Sequence, residues 1–235
     1  MSLADAWEEH ADEWIAWARA RGHDGFWEGT WPALKAALPD PVGLTVEVGC
    51  GEGRATRSLL SLGHQVLTVE RSPRLAVAAR TSEPPAVVAV ADAAALPMMS
   101  ASAALVVASM VLQDLDDLDS SLTEVARVLC PGGRLCFAIV HPFSSAQDPE
   151  NFGIDGPLVV GRPYLSERRY VDRVEKDGLS MTFVSVHRPL SAYFTALHAA
   201  GLSVELLTEH GEGIVPWLLV CRARKNSADH SMAPL

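Results

Sequence analysis

Three glycines alternate in Val46-Glu47-Val48-Gly49-Cys50-Gly51-Glu52-Gly53, directly after an apolar run and directly before a helical one. Glycine admits backbone angles closed to other residues and lets the main chain approach a ligand without a Cβ in the way. Its place between a buried strand and a helix is the context in which a glycine cluster points to a ligand. A bare tight turn is the alternative use. A dinucleotide fingerprint is spaced G-x-G-x-x-G, whereas this chain runs G-x-G-x-G and has Arg54 where that third glycine would stand. Glu70 ends the next apolar run, where a carboxylate can accept from both hydroxyls of a ribose and would repel a 2′-phosphate. Asp92 closes a third run, placed to accept from an adenine amino group or to cap the turn that follows.

Residues able to move a proton or hold a second ligand lie further on. His141 follows an apolar run and precedes Pro142, which biases it to extended backbone. With an unperturbed pKa of about 6.5, a histidine there suits a general base, or a structural role bonding nearby backbone. Gln113, Asp114 and Asp116 form either a pocket wall or a solvated acidic loop. Arg162, Arg168, Arg169 and Arg173, interleaved with Tyr164 and Tyr170, suit a carboxylate- or phosphate-bearing substrate, or pair with local acids. His187-Arg188 faces the same cleft or caps a helix. Tyr164, Arg168, His187 and Gln113 are the candidate substrate contacts. Trp7, Trp14 and Trp17 read as helix packing, and His64, His198 and His210 as ordinary histidines. The acids offer no matching ligand set for a metal. Cys50, Cys130, Cys136 and Cys221 form no C-x-x-C pair, so no zinc site or disulfide framework is expected.

Elements must position these groups. Residues 3–20 carry an apolar helical stripe, and a second helical stretch spans Phe26 to Leu38. Short apolar strands are expected at Leu44–Val48, Gln65–Glu70, Ala86–Ala91, Ala104–Ser109 and Arg134–Val140. Helices are expected between them at Arg54–Leu62, Pro73–Arg80 and Ser121–Leu129, the last with a capping box of Ser121 and Glu124. Strand-like runs follow at Leu179–Val186, Ser203–Thr208 and Trp217–Arg222, with a helix at Leu190–Ala200 stopped by Gly201. Strands alternating with helices imply a doubly wound, mostly parallel sheet. The expected domains are residues 1–40 as a helical cover, 41–224 as the α/β body with an insertion at about 142–178, and 225–235 as a disordered tail.

The 235 residues are 49% hydrophobic and 20% charged, with a net charge of −10. That charge disfavours polyanionic partners, nucleic acid or anionic membrane. No apolar run is long enough to span a bilayer, and the acidic N-terminus lacks a signal-like h-region; a cytoplasmic setting is the expectation.

With these residues in order, the chain resembles the class I S-adenosylmethionine-dependent methyltransferases. Glu47 to Gly53 matches their first motif, Glu70 their ribose acid, Ala91-Asp92-Ala93-Ala94-Ala95-Leu96-Pro97 their adenine-side loop, and Leu122 to Gly133 the helix and turn before their fifth strand. The resemblance implies a Rossmann-like, seven-stranded sheet, an N-terminal helical lid and S-adenosyl-L-methionine as cofactor. It assigns Glu47, Gly49, Gly51 and Gly53 to the methionine end, Glu70 to the ribose, Asp92 and Ala93 to the adenine, and Ser109 to the space beneath the sulfonium, with Cys50 and Arg71 also counted to the cofactor site. His141 becomes the candidate base for a small-molecule O or N nucleophile. Such families often begin the fourth strand with Asp, where this chain has Ala103-Ala104. A non-catalytic S-adenosylmethionine-binding module and an NAD-dependent oxidoreductase remain the alternatives.

Overall fold

A computed structural model of the chain describes residues 1–147, 163–213 and 215–227. Its main sheet has seven strands in the order β3-β2-β1-β4-β5-β9-β8. These are β1 (Leu44–Val48), β2 (Gln65–Glu70), β3 (Val88–Val90), β4 (Ala103–Ser109), β5 (Leu129–Val140), β8 (Leu202–His210) and β9 (Leu218–Lys225). All pairings are parallel except those of β9, which runs antiparallel to both β5 and β8. The chain winds outward from β1 through β2 to β3, then returns to place β4 on the other side of β1. That reversal opens a crevice beyond the carboxyl ends of β1 and β4, where ligands bind in open α/β sheets.

Register aligns the functional strand ends. Val48 sits opposite Val69, Glu70 opposite Val90, and Glu47 opposite Val107. The central strands are apolar because both faces are covered: Val46, Val106, Leu135, Phe137 and Ile139 are wholly buried, each contributing roughly 1.5–3 kcal/mol of burial. Helices α4 (Arg54–Ser61), α5 (Pro73–Arg80), α6 (Leu118–Val128) and α8 (Leu190–Ala199) form the crossovers and covering layers.

Several elements differ from the sequence reading. The N-terminal stripe is two helices, α1 (Leu3–Glu9) and α2 (Ala11–Arg19), divided at His10. Residues Phe26–Thr30 form a π-helical turn before α3 (Trp31–Ala37). α6 starts three residues early because Asp117, not Ser121, caps it, accepting from the Ser120 N–H at 2.9 Å. Glu124 is drawn away from a capping box by the Leu96 N–H and Arg127. Leu179–His187 is a strand, β7, but it pairs antiparallel with β6 (Arg168–Lys176) in a separate ribbon outside the main sheet. The expected insertion at 142–178 contains α7 (Pro142–Ser145) and β6 among its described residues. Arg162 and most of the expected tail lie outside the described residues. No helix among those described is long and apolar enough to cross a membrane.

The ribbon and the N-terminal helices meet above the crevice. Trp7 and Trp14 pack edge to face, their ring centroids 5.7 Å apart, and both meet Phe183 of β7 at 6.4 and 6.0 Å. Glu13 of α2 accepts from the Thr182 N–H at 2.9 Å, and Asp116 accepts from the Leu3 N–H at 2.8 Å.

Candidate functional site

A cavity of about 1090 Å³ opens beyond the carboxyl ends of β1, β2 and β4. It is at the upper end of the roughly 300–1,000 Å³ typical of ligand sites, room for a cofactor and a second molecule. The glycine loop forms its floor. Gly49 and Gly51 hold φ of +67° and +57°, in the left-handed region that side chains disfavour. A Cβ on Gly49 would stand 2.3 Å from Val111 Cγ2, and one on Gly51 would stand 2.9 Å from Trp14 Nε1. Gly53, also at positive φ, is the N-cap of α4. Cys50 is buried and its thiol pKa is pushed far up by desolvation, so this side chain is packing beneath the loop and no nucleophile.

Two buried carboxyls meet the loop. Glu70 accepts the Gly51 N–H at 2.8 Å and the Ser72 N–H at 2.9 Å. A carboxylate has about four lone-pair sites, so about half remain for a ligand in the cavity that Glu70 lines. Glu47 accepts a short hydrogen bond from the Thr56 hydroxyl. Burial pushes its pKa up to about 8, with the neighbouring Glu70 charge also raising it. At the far end Asp92 pairs with Arg71 and accepts the Ala94 N–H at 2.9 Å. Asp92 therefore stiffens its own turn while it lines the cavity beside Ala93.

These residues fit S-adenosylmethionine. The loop presents main chain where any Cβ would intrude, and two polar atoms on cavity-lining residues, Ser109 Oγ and Gln113 Oε1, are buried without a partner. Glu47, the glycine loop and Ser109 would hold the methionine end, Glu70 the ribose, and Asp92 with Arg71 and Ala93 the adenine. A positive sulfur compound beside Glu47 would favour its ionised form. Glu47 is therefore expected to give up a proton, at most about one, when S-adenosylmethionine binds at pH 7. Calorimetry in phosphate and in Tris should give binding heats that differ in proportion to the buffers' ionisation heats, and Glu47→Gln should reduce the difference. Buffer-independent heat for the unaltered protein would count against an acidic Glu47. Linkage has its own sign here: a carboxyl whose pKa rises from 4.5 to about 8 on folding binds more protons folded than unfolded in that window. Stability is lost as pH climbs through it, and Glu47→Gln should lose less.

The expected base is not at the cavity. His141 is wholly buried and is not among the lining residues. Its Nδ1 accepts the Phe143 N–H at 3.1 Å, capping α7, so the proton sits on Nε2, which donates to Glu209 at 2.7 Å. Both nitrogens are spent on structure. His141→Ala should cost about 2 kcal/mol, from the lost cap on the Phe143 N–H and the lost hydrogen bond to Glu209, read as a lower Tm with unchanged affinity for S-adenosylmethionine. An unchanged Tm with abolished turnover would return His141 to catalysis.

His187 and Tyr164 are likewise off the cavity wall. The Tyr164 carbonyl can only accept, so His187 Nε2 carries the proton at 2.8 Å and Nδ1 accepts from the Ser145 hydroxyl at 2.7 Å. The Tyr164 hydroxyl accepts the Leu190 N–H. Gln113 and Arg168 do line the cavity; Gln113 Nε2 donates to the Met110 carbonyl, and Arg168 Nη2 to the Ser145 carbonyl at 2.6 Å. Arg54, which in the sequence only argued against a dinucleotide fingerprint, lines the cavity as well. Its guanidinium carbon lies 3.9 Å from the Phe26 ring centroid and 4.6 Å from that of Trp14, and Nη1 donates to Asp24 at 2.7 Å. The signal available was its place as the first residue of α4.

A cofactor cradle at the switch point of a 3-2-1-4-5 half-sheet, closed by an antiparallel strand, defines the class I methyltransferase architecture. Residues 46–137 match the family described as "Methyltransferase domain". A malonyl-[acyl-carrier protein] O-methyltransferase of Hahella chejuensis is 32% identical over 139 residues, 57% of this chain and 50% of that protein. The chain spans about half the length of the curated relatives it matches. An S-adenosylmethionine dependent methyltransferase of Mesorhizobium loti superposes with a TM-score of 0.66 at 25% identity, covering 84% of this chain and 99% of that one. A [4+2]-cyclase superposes with a TM-score of 0.66 at 16% identity, covering 97% and 98%. Residues 46–137 are thus matched as a methyltransferase domain, in a fold shared with S-adenosylmethionine-dependent methyltransferases, whose cofactor is S-adenosyl-L-methionine.

Proposed function

We propose that the chain methylates an oxygen or nitrogen of a small molecule, using S-adenosylmethionine, in a cytoplasmic setting. One observation carries the reading: a single cavity runs from Gly49, Gly51 and Glu70 to Gln113, Asp114 and Tyr170, so one wall suits the cofactor and the facing wall is left for an acceptor. When bound, S-adenosylmethionine supplies an activated methyl on a positive sulfur. The protein's part is then chiefly orientation and exclusion of water. Trp7, Trp14 and Phe183 shield that space from the α1–α2 and β7 side, which supports the N-terminal helices acting as a lid.

The name of the Hahella relative introduces a carboxyl acceptor on an acyl-carrier protein. Cavity guanidinium groups suited to such an acid are engaged within the protein, Arg168 with the Ser145 carbonyl and Arg169 with the Met1 carbonyl and Asp116. That counts against a carboxylate as the acceptor. Incubation with methyl-labelled S-adenosylmethionine and a metabolite extract should place label in a small-molecule product. Tight cofactor binding with no labelled product would leave a non-catalytic binding module.

A further inference from the structure

We propose that Asp114 is the proton acceptor of the reaction and that the acceptor is therefore a hydroxyl or amine compound bearing an ionisable hydrogen, its product a methyl ether or N-methyl amine. The inference rests on the methyl-transfer reading above and assigns the chemistry that reading leaves open.

Asp114 closes the short 3-10 turn Leu112–Asp114 that follows β4. Ser109, at the end of β4, and Val111, packed over Gly49, lie just before it and share its cavity. The turn is braced from outside: Arg188 donates to the Leu112 carbonyl at 3.2 Å and to the Leu115 carbonyl at 2.7 Å. Across the cavity the Ser185 hydroxyl of β7 donates to Asp114 Oδ1 at 2.6 Å, which fixes one oxygen. Tyr170 of β6 pairs in register with Ser185 and lines the same wall. The groups whose charge or hydrogen bonds bear on Asp114 are thus Ser185, Tyr170, Arg188 and, from α8, Tyr193. Among the described residues, the hydrogen bond given for the carboxyl is that from the Ser185 hydroxyl.

Desolvation by the surrounding protein is the main influence and pushes the Asp114 pKa up to about 8; the Ser185 hydrogen bond and the Arg188 charge oppose it. A general base is most effective when its pKa lies near the working pH. A positive sulfur nearby would lower this value further toward neutrality. His141, the other candidate, has both nitrogens occupied away from the cavity. An ionised Asp114 would repel a carboxylate acceptor, and such an acceptor needs no base.

In the step, a proton of the acceptor's hydroxyl, or of its amine in the ammonium form, passes to a carboxylate oxygen of Asp114. The oxygen or nitrogen lone pair then available forms the bond to the methyl carbon. The carbon–sulfur bond breaks with its electron pair remaining on sulfur, so a neutral thioether departs and the proton later returns to solvent.

The test uses the full chain, methyl-labelled S-adenosylmethionine and a metabolite extract, with calorimetric binding of S-adenosylmethionine in parallel. Asp114→Asn should bind S-adenosylmethionine within about twofold of the unaltered protein and label product at least about a hundredfold more slowly, within the 10²–10⁴ range of such groups. Retained binding shows that this variant is folded. Ser185→Ala removes a hydrogen bond that lowers the Asp114 pKa, so the acidic limb of the pH–rate profile should move to higher pH with binding unchanged. Labelling by Asp114→Asn at the unaltered rate, an unmoved limb in Ser185→Ala, or a labelled methyl ester overturns the assignment alone. Absence of labelled product from the unaltered protein overturns methyl transfer itself, and this inference with it.

Discussion

Glu70→Ala is expected to weaken S-adenosylmethionine binding by at least a hundredfold. The Glu70 carboxyl, 7% exposed, does two jobs that share one group. It holds the glycine loop through the Gly51 N–H and the turn into α5 through the Ser72 N–H, at 2.8 and 2.9 Å. It also lines the cavity where a ribose would lie. Hydrogen bonds to a charged group are worth about 1.5–3 kcal/mol each. Loss of two such ligand bonds costs about 3–6 kcal/mol, and each 1.4 kcal/mol is roughly tenfold in affinity. Loss of the Gly51 brace adds to this, since a loop free to move must be ordered again on binding. Glu70→Gln keeps one accepting oxygen and should fall between, near tenfold. Calorimetric titration with S-adenosylmethionine and with its demethylated product measures both. Binding by Glu70→Ala within threefold of the unaltered protein would remove Glu70 from the site and the ribose assignment with it.

The glycine loop and the strand-end acid were legible in the sequence because they are local. Gly49 to Gly53 must turn the chain between β1 and α4, and Glu70 must end β2, so residue type and order place them together with no long-range knowledge. The acceptor half is built otherwise. His141 follows a strand and precedes Pro142, which suggested a residue facing the crevice. Its ring instead turned to Glu209, 68 positions away on β8, and no periodicity reveals such a pairing. Asp114 read equally well as a solvated acid because its desolvation comes from the β6–β7 ribbon and its hydrogen bond from Ser185, 71 positions later. β6 escaped the sequence reading altogether: Arg168-Arg169-Tyr170-Val171-Asp172-Arg173 is largely exposed and lacks the alternation that marks a half-buried strand.

Fold similarity alone does not carry the activity. The [4+2]-cyclase covers nearly the whole chain at the same TM-score as the Mesorhizobium methyltransferase, so the architecture serves more than one reaction. A fold hosts chemistry that its site determines. Here the loop, Glu70 and Glu47 speak for the cofactor, and the facing wall with Asp114 speaks for the acceptor. Disabling the first should abolish binding, whereas disabling the second should leave binding and slow transfer. Those separable outcomes distinguish a methyltransferase from a protein that only holds the cofactor.

Gly49→Ala should be the most damaging one-carbon change in the loop, and its cause can be isolated. Two penalties act together. A non-glycine residue at φ of +67° costs about 1–2 kcal/mol, and the new methyl would stand 2.3 Å from Val111 Cγ2, an overpacking worth about 1–3 kcal/mol. The loop can escape only by moving. Yet the Gly49 N–H is bonded to the Val69 carbonyl at 2.7 Å, so relief by displacement breaks the tie to β2 and draws the cradle away from the ligand. Affinity for S-adenosylmethionine should fall at least about thirtyfold and Tm should drop. Val111→Ala removes the atom at 2.3 Å and leaves the Val111 Cβ at 3.0 Å from the new methyl, so the double variant should recover the steric part while the backbone strain remains. A coupling energy of about 1 kcal/mol or more between the two sites is expected for side chains in direct contact. Simple additivity in both binding and stability would mean that Val111 does not pack over Gly49, and the turn carrying Asp114 would then lose its link to the cofactor loop.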